Sequence, residues 1–320
     1  MHAVQIKEHG GPEVMRWTEL PDPTPGPGEV LVRLGVAGVN YMDTGARAQG
    51  GPGWAAPAVL GAEGMGYVTA LGASAGGLAA GDRVAWFYHP GSYAELLAIP
   101  ADSLVKVPHG ITDETAAAVM LQGITASHLS TEAYPVKPGD TAVVHAAAGG
   151  VGLLLTQMIK ARGGKVIGLV SREEKAAVAE EAGADHVLVW SGGGFEDRIR
   201  ELTGGRGADV VYDGGGTDTF HSSQLALRPH GVHAYYGPFM GVPTFRPTDL
   251  PNSILLTYPV MLHHVPDHEA LVHRTGEIFD LILGGQLTPR IGGRYALADA
   301  AQAHTDIESR RTTGKLLLLP

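Results

Sequence analysis

Residues 143–175 read "VVHAAAGGVGLLLTQMIKARGGKVIGLVSREEK", in which a glycine-rich turn separates a strand-like run from a helix-like run. A second strand-like run, "KVIGLV", follows at the spacing of a β–α–β unit. Residues 147–152 stand where the dinucleotide fingerprint G-x-G-x-x-G would lie, with alanine at its first position. This context predicts a pyrophosphate site at the start of the helix, and a tight turn without a ligand is the alternative. The residues expected to form the site are Ala148, Gly149, Gly150 and Val151.

The end of the second strand distinguishes NADP from NAD. An NAD site usually has an acidic residue there, which binds the ribose hydroxyls. This chain has Ser171, with Arg172 and Lys175 close behind it, and these residues suit a 2′-phosphate. Glu173 and Glu174 count against this assignment, so NAD remains the alternative. The sequence favours NADPH as the cofactor.

The composition is that of an ordinary globular protein. At roughly 150 residues per domain, 320 residues predict two domains. The net charge of −10 argues against nucleic acid as a partner. The chain has no cysteine, which excludes disulfides and thiolate zinc sites. It also shows no signal-peptide pattern and no apolar run of about 18 residues, so we expect a cytoplasmic protein with no membrane partner.

The pattern of strands and helices changes along the chain. Residues 1–120 contain short strand-like runs separated by Gly, Pro and Asp, such as "EVLVRLGVAGV" at 29–39, which predict a β-rich domain. Residues 121–264 alternate strands with helices, which predicts a doubly wound parallel sheet. The run "GKLLLLP" (314–320) is expected to return to the β-rich domain, which residues from about 265 to 320 would close. The predicted fold class is α/β.

A series of motifs runs from one end of the chain to the other: "GVNYMDTGARAQG", "LGAEGMGYV", "GDRVAW", "GSYAE", "VKPGDTAVVHAAAGGVG", "SREEKAAVAEEAGADHVL", "TGGRGADVVYDGGG" and "RRTTGKLLLLP". Together they resemble the quinone oxidoreductase (zeta-crystallin-like) branch of the medium-chain dehydrogenase/reductases, which is free of zinc. The resemblance implies a GroES-like catalytic domain and a Rossmann domain. It also implies NADPH-dependent reduction of quinones or related enones by hydride transfer, usually in a homodimer.

The resemblance also assigns roles to residues. It implies that Asn40 and Asp43 are catalytic and lie near the nicotinamide. It also implies cofactor contacts in addition to the residues of the turn and of the strand end named above. These contacts are Asn40, Gln122, Thr125, Lys175, Trp190, Gly214, Gly237, Pro238 and Arg310.

The motifs also depart from those of related enzymes. Zinc alcohol dehydrogenases have a cysteine before the segment that matches Asn40, and Gly-His-Glu where this chain has Gly61, Ala62 and Glu63. Three ligands for a catalytic zinc cannot be assembled from these positions, and we expect no metal. Gly45 stands where close relatives often have tyrosine, and Trp190 ends the strand that matches their "INY", so we expect an altered substrate pocket.

Three further patterns each allow two interpretations. His145, in the strand before the turn, is interpreted as a hydrogen-bonded core histidine rather than a catalytic group. The residues from His264 to His273 are interpreted as a helix N-terminus with solvated side chains rather than a metal site. The apolar run "SILLTYPVML" (253–262) predicts a strand at a sheet edge, where a second copy of the chain would pair rather than the chain's own C-terminal segment cover the edge.

The sequence leaves other functions open. The main alternative is NADPH-dependent reduction of other enones, at an alkenal or enoyl double bond. A different class of function would be a non-catalytic NADPH-binding protein, either of crystallin type or one that binds RNA.

Overall fold

The computed structural model describes residues 1–190, 192 and 194–320, and divides the chain into two compact units. The first unit contains Met1–Gln122, Pro266–Gly284 and Pro289–Pro320. The second unit contains Gly123–Val265 and Gly285–Thr288.

The strands and helices are numbered separately in chain order. The strands are β1 (His2–Ile6), β2 (Arg16–Glu19), β3 (Glu29–Val39), β4 (Ala58–Val59), β5 (Glu63–Leu71), β6 (Arg83–Trp86), β7 (Leu96–Pro100), β8 (Leu104–Lys106), β9 (Thr141–Val144), β10 (Lys165–Val170), β11 (His186–Val189), β12 (Ala208–Asp213), β13 (Leu227–Tyr235), β14 (Leu255–Thr257), β15 (Ile291–Ala296) and β16 (Lys315–Leu319). The α-helices are α1 (Tyr41–Gln49), α2 (Asp113–His128), α3 (Gly150–Ala161), α4 (Ala176–Glu181), α5 (Glu196–Leu202), α6 (Phe220–Leu225), α7 (Met261–His264), α8 (His268–Leu283) and α9 (Ala300–Glu308).

The second unit is built on one parallel sheet with the strand order β11-β10-β9-β12-β13-β14. In order of appearance this is 3-2-1-4-5-6, the arrangement of a dinucleotide-binding sheet. The four residues of β9 are all buried, as expected for a central parallel strand covered on both faces. The predicted doubly wound sheet is confirmed. Its topological switch point lies between β9 and β12, where such sheets bind ligands at the carboxyl ends of their strands.

The first unit is β-rich, as predicted. Its larger sheet has the order β15-β16-β3-β5-β6-β8, with β7 also paired to β3, and a smaller sheet has the order β2-β1-β4. The predicted strand at 29–39 is β3, with the bounds that the sequence indicated. The C-terminal strand β16 pairs antiparallel with β3, so the prediction that the end of the chain returns to the β-rich domain is confirmed.

In two helices, the spacing of apolar residues determines which face is buried. In α3, Leu154, Leu155 and Met158 are buried, because residues three and four apart share one helix face. In α8, Leu271 and Ile278 are buried in the same way. No helix among the described residues is both long and apolar enough to span a bilayer.

The apolar run at 253–262 forms a shorter strand than its composition suggested. Only Leu255–Thr257 pairs with β13, and it is the last strand in the order of its sheet. Pro259 has no backbone N–H to continue a ladder, and α7 begins at Met261. The prediction of an edge strand is confirmed.

The interpretation of His264 as a solvated side chain is wrong. Asp267 does cap α8, since its carboxylate accepts a hydrogen bond from the N–H of Ala270 at 2.9 Å, and His268 and His273 are exposed. His264, however, belongs to the separate short helix α7 and is 3% exposed. Its Nδ1 lies 2.5 Å from a carboxylate oxygen of Glu132, a contact between distant parts of the sequence that local patterns do not indicate.

Candidate functional site

The predicted cofactor residues of the second unit gather at one edge of its sheet. The strands β9, β10, β12 and β13 all end at this carboxyl edge, and each is followed by residues that the sequence motifs single out. After β9 come Ala148, Gly149, Gly150 and Val151; after β10, Ser171, Arg172 and Lys175; after β12, Gly214; and after β13, Gly237 and Pro238.

The glycine-rich turn brings the start of α3 very close to the preceding backbone. A Cβ atom on Gly152 would lie 2.3 Å from the carbonyl oxygen of Ala146, so only glycine fits there. Gly149 is the N-cap of α3, with extended backbone angles. Because the first N–H groups of a helix have no partner within it, this helix end presents donors and a partial positive charge to an anion.

The alanine that replaces the first fingerprint glycine has a compensating neighbour. Ala147 is fully buried, and a Cβ on Gly168 of β10 would lie only 2.8 Å from the Ala147 methyl group. The glycine in the adjacent strand therefore provides the space for this methyl group. The departure from the fingerprint leaves the geometry of the turn intact.

Two cationic side chains, Arg172 and Lys175, lie near each other after the end of β10. Burial lowers the pKa of Lys175, and the nearby charge of Arg172 lowers it further, while Glu174 acts in the opposite direction. Ser171 and Arg172 are exposed beside it. An anion here would relieve the repulsion between the two cations, which suits a 2′-phosphate.

Backbone contact shapes the ends of β12 and β13. A Cβ on Gly237 would lie 2.5 Å from the carbonyl oxygen of Gly214, so the two strand ends meet with no room for a side chain. Pro238 then starts a 3-10 turn that ends at Met240. Glycine at both positions is what allows the two strand ends to approach this closely.

A buried polar cluster that the sequence motifs do not indicate fixes these strand ends. Asp213 is fully buried; its carboxylate accepts hydrogen bonds from the hydroxyls of Thr219 at 2.6 Å and Ser223 at 2.7 Å. It also lies 3.2 Å from both His145 Nδ1 and His233 Nε2. Burial acts to raise the pKa of Asp213, but the two histidines outweigh it and hold the pKa well below its usual range. The interpretation of His145 as a hydrogen-bonded core histidine is confirmed.

The first unit carries a second buried cluster, around Asn40. The Nδ2 of Asn40 donates to Oε1 of Glu63 at 2.7 Å, and its Oδ1 accepts from Nζ of Lys315 at 2.9 Å. Lys315 also forms an ion pair with Glu63, and both side chains are at most 1% exposed. The other oxygen of Glu63 accepts from the N–H of Leu121 at 2.6 Å. Both oxygens of Glu63 therefore have partners, and Lys315 is a member of the cluster that the sequence motifs do not indicate.

A chain of hydrogen bonds leads away from Asp43. The guanidinium of Arg47 can only donate, so the Nδ1 of His304, 3.1 Å away, accepts. Burial, together with the charge of Arg47, lowers the pKa of His304 to about 3, so its proton sits on Nε2 and faces Tyr93, 3.1 Å away. The hydroxyl of Tyr93 in turn donates to Oδ2 of Asp43 at 3.2 Å.

The carboxylate of Asp43 is strongly perturbed. Burial raises the pKa of Asp43 to about 7, against the opposing effects of the hydrogen bond from the Asn40 N–H and the charge of Lys315. Asp43 is 0% exposed, and its Oδ1 has no hydrogen-bond partner among the described residues. The proton is therefore held more tightly here than on an ordinary carboxyl group.

The remaining predicted residues have different surroundings. Trp190 follows β11 and stacks edge-on against Phe195, with ring centroids 6.0 Å apart. Thr125 donates its hydroxyl to the sulfur of Met261 at 3.1 Å, and Gln122 is 7% exposed. Arg310, in the first unit, is exposed and adopts a positive φ of 57°. Burial raises the pKa of Tyr41, and the charge of Arg310 acts against this increase.

A cavity of about 350 Å³ lies at the opposite, amino end of the sheet. It is lined by Lys165, Asp185 and Arg206, among others. Parallel α/β sheets bind ligands at the carboxyl ends of their strands, so we assign the cofactor to that edge rather than to this cavity.

Together, these features define a medium-chain dehydrogenase/reductase with a dinucleotide-binding unit. Two family models match the chain: "Alcohol dehydrogenase GroES-like domain" over residues 26–109 and "Zinc-binding dehydrogenase" over residues 150–261. The quinone oxidoreductase of Pseudomonas aeruginosa is 39% identical over 99% of both chains. A 2-haloacrylate reductase from a Burkholderia species is 36% identical over 99% of this chain and 98% of its own.

A solved structure supports the same assignment. The structure of Escherichia coli quinone oxidoreductase complexed with NADPH superposes with a TM-score of 0.96, with 35% identity over the whole of both chains. The chain belongs to the quinone oxidoreductase family of the medium-chain dehydrogenase/reductases, and it is an oxidoreductase.

The raised pKa of Asp43 predicts a pH-dependent stability. A carboxyl group whose pKa is raised to about 7 in the folded state stabilises the fold at low pH, and this contribution is lost as the pH rises through 7. Asp43→Asn keeps an oxygen acceptor but cannot ionise. The free energy of unfolding of the wild type, measured with urea relative to this variant, should fall by about 2 kcal/mol between pH 5 and pH 7.

The control is Asp102→Asn, at an exposed aspartate of the same unit. This variant removes a carboxyl group that lies outside the buried cluster, so a fall that appears only in the comparison with Asp43→Asn belongs to Asp43. A constant difference between the wild type and Asp43→Asn would contradict the assignment.

Proposed function

We propose that this protein reduces quinones with NADPH, by hydride transfer and without a metal ion. The observation that carries the proposal is the buried Asn40–Glu63–Lys315 cluster, together with Ala62 where zinc dehydrogenases of this superfamily have a histidine. An enzyme without a Lewis acid needs a substrate that already accepts hydride readily, and quinones are such substrates. The similarity to quinone oxidoreductases over the full length supports this choice.

The residues at this position do not fit a catalytic zinc. The matched family model is described as that of a zinc-binding dehydrogenase, yet this chain has no cysteine. Glu63 is the one carboxylate of the cluster, and the ammonium of Lys315 forms an ion pair with it. A lysine ammonium has no lone pair to offer a metal and repels a cation, so we assign no step to a metal ion.

The carboxyl edge of the second unit would hold the cofactor. We assign the pyrophosphate to the start of α3, where Gly150 and Val151 present backbone N–H groups. The neighbouring N–H of Gly149 donates to the carbonyl of Ala146 at 2.7 Å and so fixes the turn. Ser171, Arg172 and Lys175 would bind the 2′-phosphate. We keep Gln122, Thr125, Trp190, Gly214, Gly237, Pro238 and Arg310 as further proposed contacts. The bound NADPH supplies the hydride, and the chain binds and orients it.

Asn40 and Asp43 would have different parts in the reaction. The amide nitrogen of Asn40 has two N–H groups, and one of them donates a hydrogen bond to Glu63. We propose that the other N–H stabilises the oxyanion that develops on the substrate. Lys315 and Glu63 hold the amide in place. Asp43 is fully buried, so it would act by positioning: it accepts the N–H of Asn40 at 2.8 Å and thereby fixes the start of α1.

A second candidate substrate class is that of activated alkenes. The 2-haloacrylate reductase is nearly as similar to this chain as the quinone oxidoreductases. Steady-state rates with 1,4-benzoquinone, 9,10-phenanthrenequinone, simple enones and 2-chloroacrylate would separate the two classes. A kcat/KM that is highest for the quinones is expected; a preference for the alkenes would replace quinones in the proposal.

Lys175→Ala tests the cofactor assignment. A charge-assisted hydrogen bond to phosphate contributes about 1.5–3 kcal/mol, so the variant should lose at least about tenfold in NADPH affinity and much less in NADH affinity. Fluorescence titration with both cofactors measures this. Lys165→Ala is the matched control, because Lys165 lies at the other end of β10, and it should change neither affinity. Equal losses for both cofactors with Lys175→Ala would rule out the 2′-phosphate contact.

We also propose a homodimer that pairs the edge strand β14 with its copy. Two exposed rings near this strand, Tyr258 and Phe245, pack on the buried rings of Tyr235 and Phe220, respectively. Exposed apolar side chains on this stretch of the chain include Leu255 (63%), Tyr258 (56%) and Leu262 (45%). An apolar surface beside an unpaired strand edge favours association with a second copy.

Leu255→Glu should shift the protein towards monomer, because a two-fold axis would bring both introduced charges into one interface. Light scattering at micromolar concentration measures the mass. Val272→Glu is the control, since Val272 is 47% exposed on α8 of the first unit, and this variant should remain a dimer. A monomeric wild type would end the proposal.

A further inference from the structure

We propose that His128, Glu132 and His264 form a binding site for a zinc ion in the second unit, apart from the residues assigned to catalysis. Each residue offers one ligand atom, and these atoms all lie within 4.8 Å of one another. Within the part of the chain that the structure describes, this is the one group of histidine and acidic residues with such spacing. It shares no position with the segments that supply catalytic zinc ligands in related dehydrogenases.

The spacing is close to that of a tetrahedral site. Zinc–nitrogen and zinc–oxygen bonds of about 2.0–2.2 Å place neighbouring ligand atoms about 3.4 Å apart. The Nδ1 of His128 lies 3.3 Å from Oε2 of Glu132, and the Nδ1 of His264 lies 2.5 Å from the same oxygen. The two imidazole rings have centroids 4.8 Å apart. Small side-chain rotations would bring the three atoms around one ion.

The backbone holds two of the ligands in a chelating arrangement. His128 is the last residue of α2, and Glu132 lies in the π-helical turn Leu129–Ala133 that continues it. Residues four apart on a helix face the same side, and π-helical turns occur frequently at functional sites. His264 comes from α7, so the third ligand arrives from a distant segment of the chain.

Two of the proposed ligands are buried, and the third is accessible to solvent. His264 is 3% and His128 is 9% exposed, whereas the side chain of Glu132 is 43% exposed. An ion could therefore enter along the carboxylate, and water or the adjacent exposed His263 could complete its coordination. Two imidazoles and one carboxylate form a ligand set that suits zinc.

The consequence of binding would be structural. A zinc ion here would join the end of α2 to α7, which directly follows the edge strand β14. Binding to the folded state alone raises its stability, so zinc should raise the melting temperature of the protein. The ion would have no part in hydride transfer, because its ligands lie outside the residues assigned to that step.

Zinc titration of the chelator-dialysed full-length protein by calorimetry tests the proposal. We expect one equivalent of zinc per chain, a Kd in the micromolar range or tighter, and a rise in melting temperature. Glu132→Gln should weaken binding at least tenfold and abolish the rise, and the new amide oxygen can still accept the hydrogen bond from His264. His264→Gln, as a second variant, should have the same effect on binding.

His273→Gln is the matched control. His273 and Glu277 have the same four-residue spacing on α8, with Nε2 and Oε1 3.6 Å apart, but both are exposed. This variant should bind zinc like the wild type. In zinc-soaked crystals, an anomalous difference peak should lie between the three proposed ligands. No stoichiometric binding, equal affinity in Glu132→Gln, or a peak elsewhere would show that Glu132 only accepts hydrogen bonds from the two histidines.

Discussion

The buried ion pair of Lys315 and Glu63 is the interaction on which the first unit depends. Burying two charges that are at most 1% exposed is costly, but each charge has further hydrogen-bond partners. Asn40 contacts both side chains, and the N–H of Leu121 donates to Glu63. The pair joins the last strand, β16, to β5 and to the residue between β3 and α1. Removing one partner of such a pair typically costs about 3–5 kcal/mol. The C-terminal strand therefore completes the polar cluster as well as the sheet.

The same ion pair bears on the chemistry. In a zinc dehydrogenase a metal ion polarises the substrate carbonyl, whereas in this chain a buried ammonium and an amide both contact Glu63. Under the proposed function, hydrogen bonding from the amide would act on substrates that are already electrophilic. In the second unit, glycines at 152, 214 and 237 let the backbone approach closely, and Asp213 fixes the ends of β12 and β13, which precede Gly214 and Gly237.

Local patterns predicted the fold well because they record the periodicity of buried side chains. The strand at 29–39, the glycine turn with its helix, and the order of strands and helices in the second unit were all readable in this way. The polar clusters were not, because their members are far apart in sequence: Lys315 meets Asn40 across 275 residues, and His264 meets Glu132 across 132. The strand run at 253–262 was predicted too long because its apolar composition outweighed the signal of Pro259. Ala147 is understood only through Gly168 on the next strand.

The central claim is that hydride transfer in this protein needs no metal ion. The most direct measurement is the steady-state rate of NADPH-dependent quinone reduction by protein dialysed against a strong chelator, with and without added zinc. Dialysis should leave the rate unchanged and zinc should not increase it, because Lys315 rather than a metal ion holds Glu63 and Asn40. A rate that is lost on dialysis and restored by zinc would contradict it.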